Sequence, residues 1–303
     1  MEGVKLAGFR PRLIAGLLLL VALAAPGCTR DTATAGDAQP PAATQEAHAA
    51  ETLALRVKQG DQFTYHSQVK TTVKAEDQTG ASVPLPPQQS GGVMDYDMVI
   101  TFDKIEGDLA AVRYELKGLA PGVDDLQLTM TLNTRTGEVS AVSGLTDLGL
   151  GADVQNMMQE QMNKIIKESF TQFSPERRGI GSTWTTETML PIPLPGMQNK
   201  SAMRVTTTYE ANEEKDGIPV AKLTYKGNGP IDLEAGDDKV QIALKGDSEV
   251  TGVQWVDRRN GMLYRNESRA VVRITVTMKG TAPGQNTQVT MESTAEATSQ
   301  LNK

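Results

Sequence analysis

The chain has 303 residues with 30 basic and 37 acidic side chains, a net charge of −7, two histidines and one cysteine. A net negative charge without a basic run disfavours nucleic acid and anionic head groups as partners. With one cysteine and so few histidines, disulfide frameworks, zinc sites and Cys-His or Ser-His-Asp arrangements lack their parts.

At the N-terminus Lys5, Arg10 and Arg12 precede the apolar run Leu13 to Ala25, a charged region followed by a hydrophobic region of secretory length. A spanning helix needs roughly 20 apolar residues. This run is shorter, and no later segment is as apolar. It ends at Ala25-Pro26-Gly27-Cys28, a small residue directly before the sole cysteine. That arrangement resembles bacterial lipoprotein signal peptides. The resemblance implies removal of residues 1–27, lipidation of Cys28, and a mature chain held by its lipid in the cell envelope. In that family an aspartate after the cysteine marks inner-membrane retention. Thr29 stands there instead, so the resemblance implies an outer membrane anchor facing the periplasm in a Gram-negative organism.

Residues 28–51 are rich in Ala, Thr, Pro and Gln and lack apolar periodicity, which predicts a disordered tether. A coil of about 22 residues spans roughly 25 to 30 Å r.m.s.. The folded part is expected to hang from the membrane.

Residues 52–150 read as a first β half. Leu53, Leu55 and Val57 share one parity; Phe63, Tyr65, Val69 and Val73 follow after a turn at Gln59-Gly60-Asp61. Met94 to Phe102 alternate, turn at Glu106-Gly107-Asp108 and return through Val112, Tyr114 and Leu116. Leu126, Leu128, Met130 and Leu132 precede a turn at Asn133 to Gly137. Alternation of this kind predicts antiparallel sheet with one buried face.

Residues 151–173 carry the one convincing amphipathic helix pattern. Val154, Met158, Met162, Ile165, Ile166, Phe170 and Phe173 recur at helical spacing, opposite Gln155, Gln159, Glu160, Asn163, Lys164 and Lys167. The stripe is expected to pack between the two halves. Its methionines read first as core. A second reading makes Met158, Met162, Ile166 and Phe170 the lining of an apolar ligand site, because flexible thioethers suit adaptable apolar surfaces.

Residues 174–303 repeat the β grammar: Met203 to Tyr209, a turn at Lys215-Asp216-Gly217, Leu223 and Tyr225, Val240 to Leu244, and Ala270 to Met278. Landmarks recur in both halves. Gly60-Asp61-Gln62-Phe63 matches Gly181-Ser182-Thr183-Trp184; Pro84-Leu85-Pro86 matches Pro193-Leu194-Pro195; Ala111 to Gly118 matches Ala221 to Gly227; Arg135-Thr136-Gly137 matches Arg259-Asn260-Gly261. Their common order predicts duplicated halves, the second with a hairpin inserted around Leu233 to Gly246.

Few residues carry chemistry. His48 lies in the tether and His66 on the outward parity of its strand. The carboxylate pairs Asp124-Asp125, Glu213-Glu214 and Asp237-Asp238 fall in turn-like stretches and read as solvated. The stretch Asn212 to Gly217 is a hairpin turn and not a calcium loop, since Leu223 stands where the closing glutamate belongs. Trp184 and Trp255 read as inward aromatics of the sheet.

With its anchor, tether, Gly-Asp-x-aromatic turn at 60–63 and Asn-x-Arg-Thr-Gly-Glu-Val turn at 133–139, the chain resembles an uncharacterised family of exported bacterial lipoproteins. It also shares the one-helix-on-curved-sheet grammar of envelope lipoprotein carriers. The fold expected is mainly β: an antiparallel curved sheet, or pair of sheets, built from two halves with the helix between them. The function expected is a non-enzymatic binding or scaffolding module without cofactors or metal, and, as the alternative, a carrier of an acyl or other apolar ligand. The expected partners are the membrane through Cys28 and a protein or apolar ligand, with no nucleic acid.

Overall fold

A computed structural model describes residues 53–77, 91–118, 125–144, 178–189, 202–236, 240–280 and 287–302. Cys28, the tether and the helical stripe of 151–173, with Met158, Met162, Ile166 and Phe170, lie outside the described residues, as do both Pro-Leu-Pro segments.

Among the described residues eleven strands follow one another: β1 (Gln62–Asp77), β2 (Gly91–Glu106), β3 (Leu109–Lys117), β4 (Leu126–Asn133), β5 (Val139–Ser143), β6 (Thr183–Met189), β7 (Ala202–Lys215), β8 (Ile218–Gly236), β9 (Val240–Asp257), β10 (Leu263–Gly280) and β11 (Thr287–Leu301). No helix occurs among the described residues. All eleven strands join one antiparallel sheet in the order β5-β4-β3-β2-β1-β11-β10-β9-β8-β7-β6. The expectation of a mainly β, antiparallel protein holds, as one sheet and not two lobes. Its centre is the seam between β1 and β11, where Tyr65 stands opposite Leu301 and Asp77 opposite Val289. β5 and β6 are neighbours in sequence and form the two opposite edges.

Period-two burial builds the strands. In β1, Tyr65, Ser67, Val69, Val73 and Ala75 are buried while His66, Gln68, Lys70 and Lys74 are exposed. Register carries that face across the sheet, because directly opposed residues point the same way. One apolar cluster gathers β1 to β5 around Phe102, Leu128 and Leu132; another gathers β7 to β10 around Val205, Tyr225 and Leu233.

The turn landmarks fold alike. Gly60 N–H donates to Phe102 O, Phe102 N–H to Asp61 O, and the Asp61 carboxylate accepts from Lys58 N–H. In the second half Gly181 N–H donates to Tyr209 O, Tyr209 N–H to Ser182 O, and Ser182 Oγ accepts from Gly179 N–H. Both glycines sit at φ 89°. A register shift follows each partner residue, after Phe102 in β2 and after Tyr209 in β7. The later turns match as well. Gly137 N–H bonds Asn133 O and Asn133 N–H bonds Glu138 O, as Gly261 N–H bonds Asp257 O and Asp257 N–H bonds Met262 O.

Three local readings change. Residues Leu53 to Val57, expected as a strand, form no strand. This lead-in hydrogen-bonds the β9–β10 turn through Arg56 N–H to Asn260 O, with Leu53 packed by Trp184 and Tyr209 and Leu55 in the β1–β5 cluster. Its alternation reflects side chains placed into two clusters instead of a ladder. The hairpin expected as an insertion around Leu233 is a lengthening of existing strands. β8 and β9 run 19 and 18 residues, against 9 and 8 for β3 and β4. Trp255 stands opposite Lys222 and Arg265, on the face away from the two large apolar clusters. There it is shielded by Val220 and Tyr264, by Glu213 accepting from its Nε1, and by Lys215 over its ring.

Candidate functional site

The buried face is the feature shared by all eleven strands. Between the sheet ends its described positions carry no charged side chain; at the ends, Asp77 of β1 and Glu214 of β7 share its parity. Ion pairs sit on the opposite face. There His66 lies 3.1 Å from Asp95 and 3.0 Å from Asp97, Arg273 2.9 Å from Glu292, and Lys222 3.0 Å from Glu210. Among the described residues no cluster of His, Cys, Asp or Glu could hold a metal ion. Trp184 keeps its inward place, buried with Tyr209 and Leu223.

Within this apolar face runs one row of polar side chains. Register aligns Tyr96 of β2 with Ser67 of β1, Ser67 with Ser299 of β11, Ser299 with Asn266 of β10, and Asn266 with Gln254 of β9. Ser67, Asn266 and Gln254 are 3%, 6% and 3% exposed. Buried polar groups are costly unless paired, and most of the row is paired. The Ser67 hydroxyl donates to Ser299 Oγ at 2.9 Å, and the Tyr225 hydroxyl to Asn266 Oδ1 at 3.1 Å. Tyr225 reaches β10 by lying over Gly252 of β9. A Cβ there would stand 2.3 Å from the tyrosine oxygen, so only glycine leaves room for the ring.

Other donors on this face are unpaired. Neither Tyr65 Oη nor Gln254 Nε2 has a hydrogen-bond partner. Ser293 Oγ is also without one, but it stands opposite Val73, further along β11 and outside the polar row. Tyr65 is 1% exposed and faces Leu301 across the seam. Burial first, and then the nearness of Tyr114 and Asp257, pushes its hydroxyl above the ordinary value of 10.0. Burial pushes Tyr96 up to about 12, against a hydrogen bond with Ser67 that lowers it. Both stay protonated at neutral pH.

The parity of Ser67 and Asn266 follows from the alternation of β1 and β10. What the sequence withheld was adjacency: nothing local places β1 beside β11, so the row could not be assembled from it. Glu213, read as a solvated turn residue, is a strand residue that holds Trp255.

Fold and site together define a mainly β protein: one antiparallel sheet with an uncharged buried face and a charged exposed one. No protein-family model matches the chain, and no curated protein matches it. Among solved structures it is similar to the hypothetical lipoprotein YmcC from Escherichia coli K12, at 10% identity over 74% of this chain and 85% of that one, with a TM-score of 0.20. It is also similar to the outer membrane protein AlkL in DMPC lipid bilayers, at 11% identity over 88% of this chain and 97% of that one, with a TM-score of 0.21. At these scores neither likeness carries an argument about function.

Proposed function

We propose that the chain is a lipid-anchored, non-enzymatic binding module of the cell envelope whose uncharged sheet face takes an acyl or other apolar ligand. The observation that carries this reading is the segregation of charge: ion pairs on one face, none on the described positions of the other between its ends. Apolar sites take that form, with a few placed polar groups for orientation.

The finer expectations join the proposal. Cys28 bears the lipid. The matching turns at Gly60 and Gly181, and at Gly137 and Gly261, support an origin of the halves by duplication, β1–β5 answering to β6–β10. The stripe Met158, Met162, Ile166 and Phe170 supplies a helix that packs on the same apolar face.

Lipid extraction of the envelope-purified full chain, with mass spectrometry of both extract and protein, tests the reading. Acyl species beyond those attached at Cys28 are expected in the extract. A chain that yields none, and that also fails to bind a fluorescent fatty acid, removes the ligand and leaves a scaffold.

A further inference from the structure

The turns between β2 and β3, β4 and β5, β7 and β8, and β9 and β10 lie at one end of the sheet, together with the Gly60 and Gly181 turns. The chain enters the fold at this same end. Residues 53–57 run against the β9–β10 turn, where Arg56 N–H donates to Asn260 O at 2.9 Å. A Cβ at Gly261 would stand 2.4 Å from Ala54 O, so only glycine admits the lead-in this closely.

The contact brings together cations that the sequence keeps apart. Leu55 and Val57 pack with the β1–β5 cluster, which leaves Arg56 and Lys58 exposed. Arg258 and Arg259 stand on the turn they meet. Two carboxylates accompany these four cations. Asp257 is 1% exposed and held by Arg259, whose own side chain stays 57% exposed; Asp61 accepts from Lys58 N–H. The neighbouring β7–β8 hairpin commits Glu213 to Trp255 and Asp216 to Tyr264, while Glu214 shares the parity of the inner face. A basic surface results in a chain of net charge −7. The absence of a basic run argues against anionic head groups as partners, but this patch is assembled from segments about two hundred residues apart, which no run records.

These cations stand where the tether joins the fold. A coil of about 22 residues spans roughly 25 to 30 Å r.m.s.. A linker of that reach holds its cargo at an effective concentration of about a millimolar, so a contact too weak to bind a free protein suffices. Each cation brought to an anionic lipid surface adds about fivefold in affinity. The acidic remainder of the chain is repelled by the same surface, which favours one orientation.

We infer that Arg56, Lys58, Arg258 and Arg259 form a docking surface for anionic lipid head groups and hold the turn end of the sheet against the membrane. This rests on the lipid anchor at Cys28 in the reading above and does not depend on a ligand at the apolar face.

The test places the lipidated full chain on vesicles of phosphatidylcholine, alone or with phosphatidylglycerol, carrying a trace of dansyl lipid. Trp184 follows the Gly181 turn and Trp255 precedes Asp257 at the β9–β10 turn, so energy transfer from tryptophan to dansyl reports how near the turn end lies to the bilayer. Transfer should be greater with phosphatidylglycerol and fall to the neutral level in high salt. The double variant Arg56→Gln, Lys58→Gln should lose most of that gain at an unchanged melting temperature, whereas Lys70→Gln, Lys74→Gln on the exposed face of β1 should keep it. Equal transfer on both kinds of vesicle overturns the inference. So does a gain that survives high salt or the Arg56, Lys58 variant, a gain lost with Lys70 and Lys74, or a loss that comes with a lower melting temperature. Each of these leaves the anchor standing, because flotation with phosphatidylcholine vesicles reports the lipid alone. A chain that does not float with them removes the anchor and the inference together.

Discussion

Trp255 and Glu213 form a titratable contact on the exposed face. Burial acts to raise the Glu213 carboxyl, but hydrogen bonds from Trp255 and Lys215, with the charges of Lys215 and Lys222, outweigh it and hold the group below the ordinary value of 4.5. A depressed carboxylate contributes stability that is present above its unfolded pKa and lost as pH falls through the folded one. Acidification below the ordinary glutamate range should therefore release Trp255 and shift its emission, in a Trp184→Phe background, and Glu213→Gln should abolish that pH step. A step that persists in Glu213→Gln would assign it elsewhere. Asp257 is a second residue with a holding role. It is 1% exposed, and its carboxylate accepts from Arg259 N–H, Nε and Nη2. Because the Arg259 side chain is 57% exposed, the ion pair itself contributes little. Asp257→Ala should still cost about 2 kcal/mol in urea unfolding, through the backbone turn left without its acceptor.

Turns and strands differ in how far their neighbours in sequence define them. Gly60 and Gly181 each adopt φ 89° with open space where a Cβ would be. Substitution by Ala meets no neighbour and costs only the left-handed backbone, about 1 to 2 kcal/mol at either site. Matching losses in chemical unfolding are the expected result; a large asymmetry would separate the two turns. Such turns were legible because glycine and its hydrogen-bonding neighbour are local signals, and strand parity was legible for the same reason in Tyr65, Val69 and Val73. Leu53 to Val57 alternate as a strand would, yet serve two clusters. Trp255 was misplaced because an aromatic in a strand can be buried by ion-paired neighbours on the exposed face. Long-range register, which sets Gln254 beside Asn266 and Ser67 beside Ser299, has no local signature at all.

The seam between β1 and β11 holds the whole sheet together. Thirteen residues of β1, Tyr65 to Asp77, find their partners on β11, and β11 also pairs with β10. Removing residues 287–303 should leave β1 and β10 each with an unpaired edge and abolish the cooperative unfolding transition, as followed by circular dichroism. A truncated chain that still melts in a single transition near the wild-type temperature would show that the halves fold independently of the seam.

That seam also sets an order of events during synthesis. β1 emerges early and must wait for a strand encoded more than two hundred residues later; at ~5–20 residues per second the interval is roughly 10 to 40 s. Throughout it, the strand offers an unsatisfied backbone edge to any passing chain. Lys70 and Lys74, exposed on its polar face, lie where like charges of a second copy would meet in some registers. The newborn protein is thus most vulnerable to pairing with its siblings at the place that later becomes its middle.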